Sequence, residues 1–282
     1  MEQELKINID TLHNYLIATL ENARGHECEQ PQLMYLIDQM EKIFQQEVFN
    51  HELDISPTAG FLAMNSYLML MSAVRQALSG HAASVFPIAR VALESASYAH
   101  LCACDETIEK VWLQRHVSRS ARERCRRELS VTKAVSKLKS LSPEMAEFIM
   151  SNYEASIDFG AHPNRKSVFN HLVDAGNIDD KYHGFELIGV YGRNSREVNN
   201  SLLVCIDVGQ AIAFLIVASA KKHPLIYDRL DVFQNWMDEK NKVIEEITGE
   251  PIDYVYRSSY HLTPASNRCL VYATLVRTSF GI

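Results

Sequence analysis

Glycine and proline are scarce in this chain, at 11 and 8 residues of 282, too few for a loop-rich, collagen-like or low-complexity protein. Positive charge is not in excess either. The formal net charge is -7, which argues against a generic nucleic-acid coat. The opening, MEQELKINID, has no positive segment followed by an apolar one, so no secretory signal is read. The six cysteines are then expected as free thiols in a reducing compartment, and the protein as cytoplasmic. No clean apolar run reaches the ~20 residues of a membrane span. The nearest, SLLVCIDVGQAIAFLIVASA, carries Asp207 and Gln210 at its middle. It reads as a buried core helix, and no membrane association is expected.

Several catalytic motifs are also missing. There is no G-x-S-x-G elbow, and Gly184, Gly189 and Gly192 lack the lysine and spacing of a phosphate loop. No histidine has a glutamate three residues before it, as a di-iron carboxylate bundle would require. In HLCACDE, His100 and Cys104 share a helix face but Cys102 and Cys104 do not. Two ligands do not close a tetrahedral site, so buried thiols beside a partly exposed histidine are expected. Neither metal nor cofactor is called for.

What the chain does have is helical periodicity. Leu5, Ile9, Leu12, Leu16 and Leu20 form one stripe over residues 3–22, and Leu33, Leu36, Ile37, Met40, Ile43 and Phe44 form another over 31–52. Ser56 and Pro57 open a third helix that Gly80 stops. Asp105, Ser142 and Ser195 mark later helix starts. KYHGFELIGVYGRNS reads as a loop or a short strand, and the tail after residue 250 alternates like a strand or hairpin.

In the third helix Phe61, Met64, Leu68 and Met71 lead to Arg75, placing that guanidinium on or beside an apolar seam. In the fourth, Arg90 and Glu94 stand one turn apart. Glu94 is the candidate partner for either arginine, because a guanidinium near a core needs a carboxylate. Two readings stand: an ion pair that fixes helix register, or a polar pocket in which arginine binds phosphate. Between Arg115 and Lys139, nine basic residues face only Glu123 and Glu128. This strip, with Arg119, Arg122 and Arg126, is either a solvated helix face or a surface for a phosphate backbone.

The stretch SGHAASVFPIARVALESASYAHLCACDETIEKVWLQR, with FGAHPN further on, resembles a family of bacterial helical proteins similar to the HEPN superfamily. Arg90, Glu94, Trp112, His162, Pro163 and Asn164 carry the resemblance, which covers about residues 60–175. It implies an all-α, HEPN-like helical bundle, with a short β-hairpin or an irregular C-terminal tail. A single helical domain would span 1–250, with its HEPN-like core at about 56–222 and the tail at 251–282. It also implies a homodimer with a stress, toxin or defence role that binds RNA or a nucleotide, or cuts RNA without a metal. The alternatives are a non-catalytic module that binds a protein partner and a bundle that binds a small anion.

HEPN ribonucleases carry Arg, four to six residues, then His. Histidine would exchange protons with the ribose hydroxyl and the leaving group, and arginine would stabilise the phosphorane-like transition state. Two stretches fit, Arg75–His81 and Arg165–His171. Six residues turn about 240° on a straight helix, so the first pair converges only because Gly80 breaks the helix. The second starts in a loop beside His162 and Asn164 and is preferred. The resemblance therefore assigns Arg165, His171 and His162 to catalysis. Arg90, Glu94, Asn164, Arg75 and His81 would support the pocket. FGAHPN also has a purely local reading: Gly160 as a left-handed helix stop, Pro163 as a block, and His162 bonding free carbonyls.

Overall fold

The computed structural model describes residues 8–9, 11–31, 33–163, 165–177, 183–193, 195–248 and 270–276. Within them the chain is an all-α bundle with a small sheet. β1 (Asn8–Ile9) precedes α1 (Leu12–Cys28) and α2 (Met34–Ile43), and a π-turn, Phe44–Val48, continues α2. α3 (Pro57–Leu78) and α4 (Ala82–Cys104) lead to three short helices, α5 (Glu106–Leu113), α6 (Arg119–Glu128) and α7 (Val131–Leu138). α8 (Pro143–Ser156) ends in a second π-turn, Ile157–Ala161, and α9 (Arg165–Phe169) leads to the strands β2 (Leu172–Asn177) and β3 (His183–Tyr191). α10 (Arg196–Val217), α11 (Pro224–Tyr227), α12 (Leu230–Thr248) and β4 (Leu270–Val276) complete the order.

Side-chain caps set the helix starts where local sequence predicts them. Ser56 Oγ accepts from Ala59 N at 3.3 Å, Asp105 Oδ1 from Thr107 N at 2.8 Å, and Ser142 and Ser195 act likewise. α10 is the hub. It packs against α2, α3, α4 and α8, and its long apolar window is 89% buried. By length and composition alone that helix would cross a membrane. Here it is the centre of one hydrophobic cluster reaching from Leu33 to Ile244. Asp207, read as a mark against a membrane span, is buried on α10 and meets Lys240 of α12 at 2.8 Å.

Three expectations about helix faces change. The first helix starts at Leu12 rather than near residue 3, Ile9 lies in β1, and Leu5 falls outside the described residues. Leu12, Leu16 and Leu20 are exposed. Phe61, Met64 and Leu68 are exposed too, because α3 is apolar around most of its girth. Its buried face is instead built on Ala59, Ala63, Ser66, Ala73 and Ala77, with Leu62 and Leu70 between. Small residues there let α4 and α10 approach closely. The second helix follows its stripe, with Leu33, Leu36, Ile37, Met40, Ile43 and Phe44 all buried.

The short hairpin lies within the chain rather than only in the tail. β2 and β3 pair antiparallel, Leu172 opposite Leu187, with a bulge between Asp174 and Gly176. β4, in the strand-like tail, pairs antiparallel with β3 and parallel with β1. The rest of residues 251–282 lies outside the described residues. Tyr191 fastens the hairpin to the bundle. Its N–H donates to Gly80 O at 2.9 Å and its carbonyl accepts from Asn22 Nδ2 at 2.8 Å. Gly80, at φ +83°, permits this approach, since a Cβ there would stand 2.3 Å from Tyr191 O.

Candidate functional site

Arg90, Glu94 and Tyr98 follow one another at four-residue spacing and share a face of α4. Arg90 Nε donates to Glu94 Oε1 at 2.9 Å. α8 lies across this face and supplies Tyr153, whose hydroxyl donates to the same Glu94 oxygen at 3.2 Å and accepts from Arg90 Nη2 at 3.3 Å. The guanidinium also stands over the Tyr153 ring, 5.3 Å from its centroid.

The fourth member arrives by an irregularity. Pro87, inside α4, has no N–H for Ala83 O. The π-turn after α8 sits on that step. A Cβ at Gly160 would lie 2.8 Å from Phe86 Cβ, 3.2 Å from Pro87 Cδ and 3.3 Å from Ala83 O. Only a residue without a side chain allows this seat. Gly160 is therefore a close-approach glycine rather than a left-handed helix stop. One turn along α4, His162 leaves the π-turn and its Nε2 meets Arg90 Nη1 at 3.0 Å. His162 thus faces Arg90 instead of capping carbonyls. A guanidinium only donates, so Nε2 must accept and the ring proton sits on Nδ1.

Charge and burial bias the site. Burial raises the Tyr153 hydroxyl, and Glu94 adds to this. Burial, with Glu94, Cys125 and Tyr153, pushes Tyr98 up to about 12, while Arg115 opposes. Burial acts against the charged Arg90, but the hydrogen bond and charge of Glu94 outweigh it. The guanidinium is thereby held as a cation beside the His162 ring.

The charge of Arg115, after α5 in the basic strip, is felt at Tyr98. Arg115 Nε is shielded from solvent without a hydrogen-bond partner among the described residues. On α6, Arg119 pairs with Glu123 at 3.0 Å and Arg127 with Glu128 at 3.1 Å. Arg122, Arg124 and Arg126 are exposed and have no carboxylate partner among the described residues.

Among the described residues no hydrogen bond joins arginine to histidine in either Arg…His stretch. Arg165 is exposed, its guanidinium 5.8 Å from the Phe169 ring centroid. His171 turns to β3, where its Nδ1 lies 2.5 Å from Tyr191 Oη. Arg75 is exposed and makes no ion pair with Glu94, which pairs with Arg90, while His81 Nδ1 lies 3.3 Å from Tyr15 Oη. Asn164 lies outside the described residues. Of the buried thiols and partly exposed histidine expected in HLCACDE, Cys102 is buried, but His100 is buried and Cys104 exposed, their Nε2 and Sγ 3.8 Å apart. Among the described residues, no group of three histidine, cysteine or acidic side chains could hold a metal ion.

Tyr153 was not anticipated. A tyrosine in the apolar register of α8, nine residues before His162, is the signal that could have found it. No protein-family model, curated protein or solved structure matches the chain.

Proposed function

We propose that this is an HEPN-like RNA-binding protein that cuts its RNA without a metal, in a stress or defence role, with Arg90 and His162 at the centre. The observation behind the reading is the 3.0 Å contact between Arg90 Nη1 and His162 Nε2. It joins a phosphate-binding fork to an acid–base group at the protein surface. The unpaired Arg122 and Arg126 supply sequence-independent attraction for the backbone.

A phosphodiester that takes up the Arg90 N–H groups would draw them from His162 and free the Nε2 lone pair. Nε2 then accepts the ribose 2'-OH proton, and the 2'-oxygen attacks phosphorus. The P–O5' bond breaks, and the imidazolium returns that proton to the 5'-oxygen, leaving a 2',3'-cyclic phosphate. Arg90 balances the charge that builds on the phosphoryl oxygens. Glu94 and Tyr153 position the guanidinium.

The test is cleavage of single-stranded RNA in EDTA by the wild type, His162→Ala, Arg90→Lys and Arg165→Ala, each checked for folding by circular dichroism. Cleavage should vanish in His162→Ala, fall at least about a hundredfold in Arg90→Lys and persist in Arg165→Ala. Equal cleavage by wild type and His162→Ala, or none by wild type, removes the catalytic reading.

A second reading, a module that pairs with a second copy or another protein, rests on a different feature. Phe61, Met64 and Leu68 on α3 are 73, 46 and 57% exposed, and Val91 on α4 is 47% exposed. Asn65 and Ser95 are hydrogen-bonded across the two helices, and helical spacing carries Leu68 and Val91 one turn on from that pair. Contiguous apolar surface of this kind marks interaction sites. Light scattering on wild type and Leu68→Glu tests it: a dimer that becomes a monomer supports self-association, and a monomeric wild type refutes it.

A further inference from the structure

Between the C-terminal turn of α5 and the first half of α6 lies a cavity of about 240 Å3, lined by Val111, Gln114, Ser120, Ala121 and Arg124. At ~30 Å3 per water it would hold about eight waters. Drug-sized sites run to ~300–1,000 Å3, so this one suits a single flat heterocycle. Buried Val111 and half-buried Ala121 give it an apolar part. Exposed Gln114, Ser120 and Arg124 supply the polar part of the lining.

Two of these polar groups, Gln114 and Arg124, have a use in reading an unstacked base. The Gln114 amide offers both donors and an acceptor to a base edge. A guanidinium plane stacks on a base. Neither the Gln114 nor the Arg124 side chain has a partner among the described residues. At 100° per residue, Arg124 falls on the flank of α6 that carries Ser120 and Ala121. Arg122 and Arg126 share the other flank. An RNA strand crossing α6 would lay phosphates against Arg122 and Arg126 and bring a base over the cavity a few nucleotides along.

We infer that this α5–α6 cavity is a nucleobase subsite, so that the RNA taken is single-stranded and held by a base as well as by its phosphates. The inference rests on the RNA reading above and names the form of RNA that the surface accepts. A duplex keeps its bases stacked and paired, and a deep, narrow major groove hides their edges.

The test is fluorescence anisotropy of the full chain with two labelled strands of equal length, one an ordinary RNA and one abasic at every position. Wild type should bind the base-bearing strand about tenfold tighter. Ala121→Trp, which fills the cavity, should abolish that preference while leaving affinity for the abasic strand within about twofold. Gln114→Ala, an exposed change that spares the fold, should narrow the preference among the four homopolymers. Equal wild-type affinity for the two strands overturns the subsite and leaves RNA binding standing. Failure to bind either strand overturns the RNA reading itself.

Discussion

Arg90 and His162 stand 72 residues apart and meet at 3.0 Å, while a second arm of the same guanidinium reaches Glu94 at 2.9 Å. Glu94 is the hinge of the cluster, because its Oε1 also accepts from Tyr153. Glu94→Ala leaves two donors without their acceptor. The carboxylate is 27% exposed, so water compensates in part, and we expect a loss of about 1–2 kcal/mol. Urea denaturation measures it, and an unchanged midpoint would show that the pair contributes nothing to the fold.

Lys240 should be far more sensitive. Its side chain is 1% exposed, with Nζ 2.8 Å from Asp207 Oδ1, 2.7 Å from Gln210 Oε1 and 5.2 Å from the Phe148 ring centroid. Lys240→Met strands the Asp207 carboxylate in the core and should cost about 3–5 kcal/mol. Asp207→Leu in the same chain removes that charge and should recover most of the loss. A double-mutant cycle in urea decides it; additive losses would contradict the pairing.

Gly80→Ala is expected to loosen the hairpin from the bundle. It forces a side chain into φ +83°, at about 1–2 kcal/mol, and drives its Cβ into Tyr191. Hydrogen exchange should quicken at Tyr191 and across β2 and β3, with α10 little changed. Uniform exchange along the chain would disprove the local link.

Acid should destabilise the protein through His100. Burial holds this imidazole down at about 4, with Lys137 adding to the effect. The unfolded value is about 6.5, so between these values the unfolded chain binds the extra proton. The His100 contribution is complete above pH ~6.5 and is lost as pH falls to about 4, amounting to about 3 kcal/mol. Stability measured across that range should flatten in His100→Asn, and an identical slope would rule this histidine out.

Local chemistry made parts of this molecule readable in advance. Ser56, Asp105, Ser142 and Ser195 announce their helices because a cap needs only its own next three residues. Arg90 and Glu94 declared themselves by spacing alone. The exposed side of α3 was hidden because Phe61 and Leu62 are equally apolar, and only the arrival of α4 and α10 decides which is covered. β3 depends on β2 and β4, and its glycines interrupt the alternation that would have marked it. The meeting of Arg90 with His162 requires Pro87 and Gly160 to fit together, a relationship without any period in the sequence.

The central position of α10 also bears on how the chain is made. α3 and α4 can pair as soon as both are synthesised, but the helix that covers their inner faces ends only at Val217. At about 5–20 residues per second, the ribosome leaves those faces open for roughly 6–20 s. The apolar inner faces of α3 and α4 are thus the surface a nascent-chain chaperone would meet, and the core closes only once the last turn of α10 has emerged.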